Sequence, residues 1–378
     1  MSNITSCFID FATHTNSEKE YDSKGYEKIK NFKGWNSQFD IELKEDIKNR
    51  FVFTRTGDIC TCIWIEVCEL EKELTVQAFH KIFKKITIGP DEGSDIIATY
   101  TPETLDFIYN FMDSSKKEIY KKAVKSGCLI LPLDLHIPMC IIPFINIYLT
   151  IETEKEELKF KCFTKYTILN NEDRKDMINI KNLSYTEYET CIYDLKYLDN
   201  PFYNIECGGF MKDIMYAVRD KNTGRYLSNL IDEFTLQYES TYRFSNNSKL
   251  GSIINPFYYN KGCGSDSIFL YSYGDNDFSY PNFDKLANVS AHFKLNKKEL
   301  GNYSLEKLVL YGLRDKSNLF NYFLFNRVSD PFLINEIESF GLNHTQDIKE
   351  VENQNLQLVI VFVKKSIISF VNGIYTVL

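Results

Sequence analysis

Positive charge is what this 378-residue chain most lacks: 44 Lys and Arg stand against 52 Asp and Glu, a formal net charge of -8. A broad nucleic-acid face needs a basic surplus to displace counterions, so no direct nucleic-acid binding is expected. Histidine is scarce too. The five, at 14, 80, 136, 292 and 344, are far apart, and each reads as a satisfied or exposed residue, not a metal ligand. Ten cysteines are present, but none form a CxxC pair, and Cys60-x-Cys62 has no Cys/His partner pair at zinc-finger spacing. They read as buried thiols of a reducing compartment. Neither a metal nor another cofactor is expected. The first twenty residues lack a basic stretch followed by an apolar run, so no secretory signal is expected. The N-x-S/T sequons at Asn3, Asn182, Asn246, Asn288, Asn302 and Asn343 then read as by-products of an Asn-rich composition.

A catalytic constellation is also missing. The acids give many candidate pairs but no distinguishing spacing of the kind glycosidases use, so they read as solvated faces. Gly-Asp-Asn-Asp at 274 to 277 lacks the alternating acids and terminal Glu of a calcium loop. In Lys261-Gly-Cys-Gly-Ser-Asp the Lys precedes the glycines, the reverse of a phosphate loop. Arg55-Thr-Gly-Asp reads as a turn entering a strand. No enzyme is expected.

What is abundant is aromatic and aliphatic mass. Hydrophobic residues make up 44% and aromatics 15%, almost all Phe (29) and Tyr (25). That mixture favours strands over helices. The longest apolar run, CLILPLDLHIPMCIIPFINIYLTI from Cys128 to Ile151, is long enough for a membrane-spanning helix. Pro132, Pro138 and Pro143 argue otherwise, since each interior proline costs a helix about 3 kcal/mol, and Asp134 would be costly in a bilayer. The run is expected to form two buried strands, Leu129 to Leu135 and Ile141 to Thr150, with a turn at His136 to Pro138.

Period-two alternation marks further strands. In CIWIEV, Ile63, Ile65 and Val67 share one face; in VSAHFKLN, Val289, Ala291, Phe293 and Leu295 do. DIMYAVRD and FTLQYES alternate in the same way, and the C-terminal LQLVIVFVKKSIISFVNGIYTVL reads as two more strands. KIFKKITIG alternates imperfectly, with Ile82, Lys84, Ile86 and Ile88 on one side. One helix is expected over residues 101 to 127: Thr101 as cap, Pro102 at the first position, Leu105, Ile108, Met112, Ile119 and Ala123 as the apolar stripe, and Gly127 as the stop. Charged residues 152 to 182 read as strands joined by exposed loops. Asn200-Pro201 marks a seam. Many short strands around one helix point to an all-β chain of two β-sandwiches side by side.

The order of motifs resembles that of the double jelly-roll major capsid proteins of large eukaryotic, nucleocytoplasmic DNA viruses. FVFTRTGDICTCIWIEVCEL, with Gly57 and Asp58, is similar to the family's early strand pair, and the next strand closes at Gly89. LPLDLHIPMCIIPFINIYLTIE matches a proline-punctuated segment through Leu131, Pro132, Leu133, Pro143 and Tyr148. Lys212, Ile214 and Val218 fit the entry to the second jelly roll; Leu236, Arg243, Phe244 and Tyr258 fit the segment after it. Tyr271, Ser272, Pro281, Asn288 and Ser290 fit a later segment, and the tail containing Gly373 resembles the family's closing strands. The spacing from Pro281 to Asn288 is longer than usual, and the usual Trp at the second-domain entry is absent.

Residues 1–36 are polar, contain Gly25 and Gly34, and read as an irregular N-terminal arm. The resemblance, which runs from about residue 50 to the end, implies a first eight-stranded jelly roll (37–192) and a second (193–378), with short helical insertions. It also implies a structural coat protein of the virion capsid, made in the host cytoplasm or viral factory. Homotrimers of two jelly rolls each would give pseudo-hexameric capsomers of an icosahedral shell. The implied partners are the chain itself, neighbouring capsomers, minor capsid proteins and, through other proteins, an internal viral membrane. The alternatives are a minor capsid or transient membrane-scaffold protein of the same fold and, more remotely, a glycan-binding or hydrolytic jelly roll.

Overall fold

The computed structural model describes residues 37–68, 70, 73–90, 96–132, 136–155, 157–195, 202–238, 242–259, 261–262, 265–273, 280–286, 288–300, 356–371 and 374–377. The arm, the seam at Asn200-Pro201, Asp134, Gly373 and residues 274–277 lie outside them.

The first half carries β1 (Ser37–Glu42), β2 (Lys44–Ile47), β3 (Arg50–Val52), β4 (Ile59–Val67) and β5 (Phe83–Gly89). It continues with β6 (Ala98–Tyr100), β7 (Cys128–Ile130), β8 (Tyr148–Thr153) and β9 (Phe160–Ile168). Then come β10 (Asn182–Asp194), β11 (Phe202–Asn204), β12 (Phe210–Asp220), β13 (Ile231–Tyr238) and β14 (Tyr242–Asn247). β15 (Ile268–Ser272), β16 (Ser290–Leu295), β17 (Leu356–Val371) and β18 (Ile374–Val377) follow among the described residues. The α-helices among the described residues are α1 (Val76–His80), α2 (Pro102–Asn110), α3 (Ser114–Lys125), α4 (Asn171–Ile178) and α5 (Asn255–Tyr258).

The described strands form four antiparallel sheets that make two sandwiches. The first pairs β1-β9-β4-β7 with β2-β3-β8-β5-β6; the second pairs β10-β17-β12-β15 with β11-β16-β13-β14, and β18 adds to β17. One buried cluster fills the first sandwich around Ile63, Ile65, Phe83, Leu149 and Tyr166. Another fills the second around Tyr216, Phe234, Phe293 and Phe362. The long β10–β17 ribbon runs through both: its Leu183, Tyr185, Ile368 and Phe370 end lies in the first core, and Leu358, Ile360 and Phe362 lie in the second. At about 3.3 Å per residue, the 13-residue β10 is a strut some 40 Å long.

Two of the alternating segments land as expected. Val289, Ala291, Phe293 and Leu295 are buried while Lys294 is exposed. Ile63, Ile65 and Val67 point into the first core, with Trp64 stacked on Phe163 across the other face.

Other expectations need correction. The apolar run makes its two strands shorter than expected. Among its described residues only Cys128–Ile130 and the part from Tyr148 onward are strand, and much of the described chain between them is buried irregular loop, with residues 133–135 outside the described residues. That loop satisfies its backbone without a ladder: Ile137 and Cys60 exchange both N–H···O bonds, and Cys140 N–H donates to the Asp58 carbonyl. A buried loop is tolerated when its polar groups find such partners.

The helix over 101–127 is two helices. Thr101 caps the first, with Pro102 at its start, but it ends at Phe111; Asp113, Ser114 and Ser115 then start the second, because such side chains favour helix ends over interiors. The buried residues of α3 are Tyr120 and Val124, and Ile119 faces solvent. Gly127, at φ +78°, is the left-handed stop. Residues 171–178 form α4, where a loop was expected; Asn170 caps it by accepting from Glu172 N–H and Asp173 N–H. In β5 a bulge between Phe83 and Lys85 turns Lys84 outward, which explains the broken alternation. β12 is buried on both faces, because α2 covers the face turned away from its own sandwich.

Candidate functional site

The most constrained chemistry lies where the two sandwiches meet. α2 is pinned at its start to β10: Thr104 Oγ1 and Thr101 Oγ1 lie 2.8 and 3.1 Å from Thr190 Oγ1. One side of the helix sends Leu105 into the first core. From its other side and end, Phe107 and Phe111 enter a separate cluster with Met215 and Ala217 of β12, Ile268 and Leu270 of β15, and Val359, Val361 and Val363 of β17. Tyr226 meets Phe107 edge to face at 5.5 Å. Each phenylalanine so buried stabilises the contact by about 1.5–3 kcal/mol.

Polar groups fix the register of this joint. Arg219 Nη1 lies 2.6 Å from Glu103 Oε1, and its Nε donates to Gln357 Oε1 at 3.1 Å. Behind them His80 is fully buried, with Nδ1 2.6 Å from Asp106 Oδ1 and Nε2 2.9 Å from Tyr120 Oη. Burial pushes the Asp106 carboxyl up, while His80 and the hydroxyl of Tyr226 pull it down; the net direction is up. Burial also raises Tyr226 well above the ordinary tyrosine range. The 221–225 loop of the second half docks on α1: Gln77 Nε2 donates to Gly224 O and Lys81 Nζ to Thr223 O, both at 3.0 Å. Gly262 N–H donates to Phe111 O at 2.7 Å, an approach so close that a Cβ there would sit 1.9 Å from Met112 O. Both His80 ring nitrogens are engaged inside this joint, so the residue is structural.

The motif residues fall mostly at separate joints of the sandwiches. Gly57 packs under Tyr166, where a Cβ would come within 2.5 Å. Asp58 is buried; it accepts from Leu169 N–H at 2.8 Å, and its Oδ1 lies 3.0 Å from Arg174 of α4. Gly57→Ala is expected to destabilise by about 1–3 kcal/mol, the usual cost of overpacking, read as a lower urea midpoint with an unchanged slope. Gly89 ends β5 opposite Tyr148, and the Pro132 carbonyl accepts from Tyr100 Oη at 3.2 Å. Pro143 is exposed in a turn. Arg243 and Phe244 lie in β14 opposite Gln237 and Leu236. Tyr271 packs edge-on against both Phe234 and Tyr273. Asn288 holds φ +55°, a left-handed turn that Asn tolerates, and Ser290 Oγ is 3.1 Å from His292 Nε2.

Three motif residues do converge. A bulge between Met211 and Asp213 holds Lys212 buried; Ser272 Oγ donates to the neighbouring Asp213, and the Pro281 carbonyl accepts from Met211 N–H. Sequence reasoning missed the centre of this group. Asp213 is buried, with Lys261 Nζ 3.5 Å from its Oδ2. Burial alone would raise its pKa, but Lys261, Lys212 and Ser272 outweigh that and hold it below the ordinary carboxylate value.

The eight described cysteines are all free thiols, three buried and five half-buried. Burial pushes Cys60 and Cys140 up to about 12 and Cys128 to about 11, so they stay protonated near neutrality. Among the described residues, no group of three His, Cys, Asp or Glu could hold a metal ion, and no helix is long and apolar enough to cross a membrane.

Two consecutive sandwiches with short helical insertions, locked at a buried joint, are a double jelly roll. Solved structures of that fold align along nearly the whole chain. VP54 of PBCV-1, fitted into a reconstruction of the virophage Sputnik, is 10% identical and covers 90% of this chain and 96% of its own, with a TM-score of 0.65. The quasi-atomic model of the PBCV-1 virus capsid gives 10% identity, the same coverages and a TM-score of 0.63. The Faustovirus major capsid protein is 6% identical over 89% of this chain and 90% of its own, at 0.58. These neighbours are double jelly-roll major capsid proteins of large DNA viruses. No family model and no curated protein matches the sequence.

Proposed function

We propose that the chain is a structural capsid protein: a homotrimer whose three pairs of jelly rolls form a pseudo-hexameric capsomer of an icosahedral viral shell. The observation that carries this reading is the buried joint within a double jelly roll. α2, Arg219–Glu103 and the β10–β17 strut hold two similar sandwiches at one fixed relation. Six such sandwiches around a threefold axis tile a surface with near-sixfold packing, and a threefold ring closes on itself. Capsid proteins at both PBCV-1 and Faustovirus share the architecture at 10% identity or less. Its partners on this reading are further copies of itself, neighbouring capsomers and minor capsid proteins. It works in the virion without catalysis.

Light scattering on the purified chain is expected to give three times 44.3 kDa, about 133 kDa, with a hexagonal outline in negative stain. A strictly monomeric protein at high concentration contradicts the proposal. Hundreds to thousands of copies in purified particles would assign it to the shell; its absence from mature particles would favour the transient scaffold role.

A further inference from the structure

β14 runs into a wide π-helical turn, Leu250–Ile254, and then into α5. One side of this segment is buried: Gly251 and Ser252 face inward, and Gly251 lies against Asn246, Tyr216 and Phe269. The opposite side carries Ile253, Ile254, Phe257 and Tyr258, exposed by 56, 50, 84 and 74%. Their positions are held from below. The buried amide of Asn246 donates to Tyr216 Oη and Leu270 O, both at 3.0 Å, and Asn255 Nδ2 donates to Leu270 O at 3.0 Å. Lys261 N–H donates to Pro256 O at 2.8 Å. The apolar side chains are therefore presented by a fixed platform.

With aromatic side chains contributing 150–250 Å² each when fully buried, the four together expose roughly 500–600 Å², the top of the range for the largest patch on a monomer. A standard interface takes about 800 Å² from each partner, so this patch supplies most of one side. Its composition fits a protein interface. Residues 250 to 258, LGSIINPFY, contain no charged side chain, and interface cores are rich in aromatics and poor in charge. A bilayer-surface helix would instead display Lys and Arg on a polar face turned to water, but here the side opposite the patch is buried.

We propose that Ile253, Ile254, Phe257 and Tyr258 are the docking face for a second copy of this chain. The inference rests on the shell-protein reading and names the surface through which that assembly forms. In a closed ring the contact is heterologous, so the patch meets a different surface on the next copy.

The test is light scattering on wild type, Phe257→Asp, Phe257→Leu and Tyr258→Lys, with thermal unfolding followed alongside. Phe257→Asp and Tyr258→Lys are expected to weaken association at least about tenfold and move the mass towards one chain, with the melting midpoint of the isolated chain kept, because both side chains are exposed. Phe257→Leu is expected to remain associated. A wild type that assembles together with a Phe257→Asp variant that assembles equally well overturns the patch and leaves the shell reading standing. A monomeric wild type overturns the shell reading, and the patch proposal with it. Flotation with phosphatidylcholine–phosphatidylserine vesicles that is lost in Phe257→Asp, without any change in mass, overturns the proposal in favour of a membrane contact.

Discussion

Phe107→Ala is expected to cost about 3–5 kcal/mol, the range for deleting a buried aromatic ring, although the residue belongs to neither sandwich core. Phe107 is fully buried between α2 and the outer face of β12 and β17, with Tyr226 edge-on against it. Truncation leaves a cavity between two elements that cannot close it independently. α2 is tied to β10 through Thr104 and Thr190, and β12 is paired on both edges, to β17 and β15. Urea unfolding checks the cost, and hydrogen exchange at β12 and β15 checks its place, since loss of this packing exposes the face that α2 covers. Ile119→Ala is the internal comparison. The 3.6-residue pattern groups Ile119 with the helix core, yet it faces solvent, and surface changes usually stay within about 0.5 kcal/mol. A loss below about 1 kcal/mol for Phe107→Ala, or equal losses for the two variants, contradicts this account of the joint.

That comparison shows which part of the fold a sequence makes legible. Alternation reports a strand with one wet face, so VSAHFKLN and CIWIEV could be assigned residue by residue. It cannot separate a buried strand from a buried loop. In the run from Cys128 to Ile151 most of the described apolar residues are covered, and the amides of Ile137 and Cys140 are satisfied by Cys60 and Asp58, some 77 and 82 positions upstream. The joint left a fainter trace. Met215 and Ala217 occupy the face of β12 that should be polar in a two-layer sandwich, and Leu105 and Phe107 leave α2 on different sides. A strand apolar on both faces and a helix apolar beyond one stripe both indicate an additional covering layer. Read together, they would have suggested that one covers the other. The exposed patch at 253–258 was harder to find, because only the π-helical turn and the Asn246 platform determine that the apolar side faces out.

The buried ion cluster was the least legible feature, because Asp213 and Lys261 lie 48 positions apart and neither stands in a motif with the other. Its removal carries the second large effect. Asp213→Ala is expected to destabilise by about 3–5 kcal/mol, since breaking a buried pair leaves its cations without their counter-charge. The lower end applies, because Lys261 is partly exposed and can reach water. The pH dependence separates this from simple loss of packing. Burial opposes the charge on Asp213, but Lys261, Lys212 and the Ser272 hydroxyl outweigh it and depress the folded pKa below the unfolded value of about 3.9. A depressed acid contributes stability that is fully present above its unfolded pKa and lost as pH falls through its folded pKa. Wild type is therefore expected to lose this increment on acidification below about pH 4, whereas Asp213→Asn, which keeps the shape and an acceptor for Ser272, starts lower at neutral pH and has a flatter acid slope. Parallel acid profiles for the two proteins would mean that Asp213 is not held ionised by its lysines. A Lys261→Met variant that reproduces the flatter slope would identify Lys261 as the principal counter-charge.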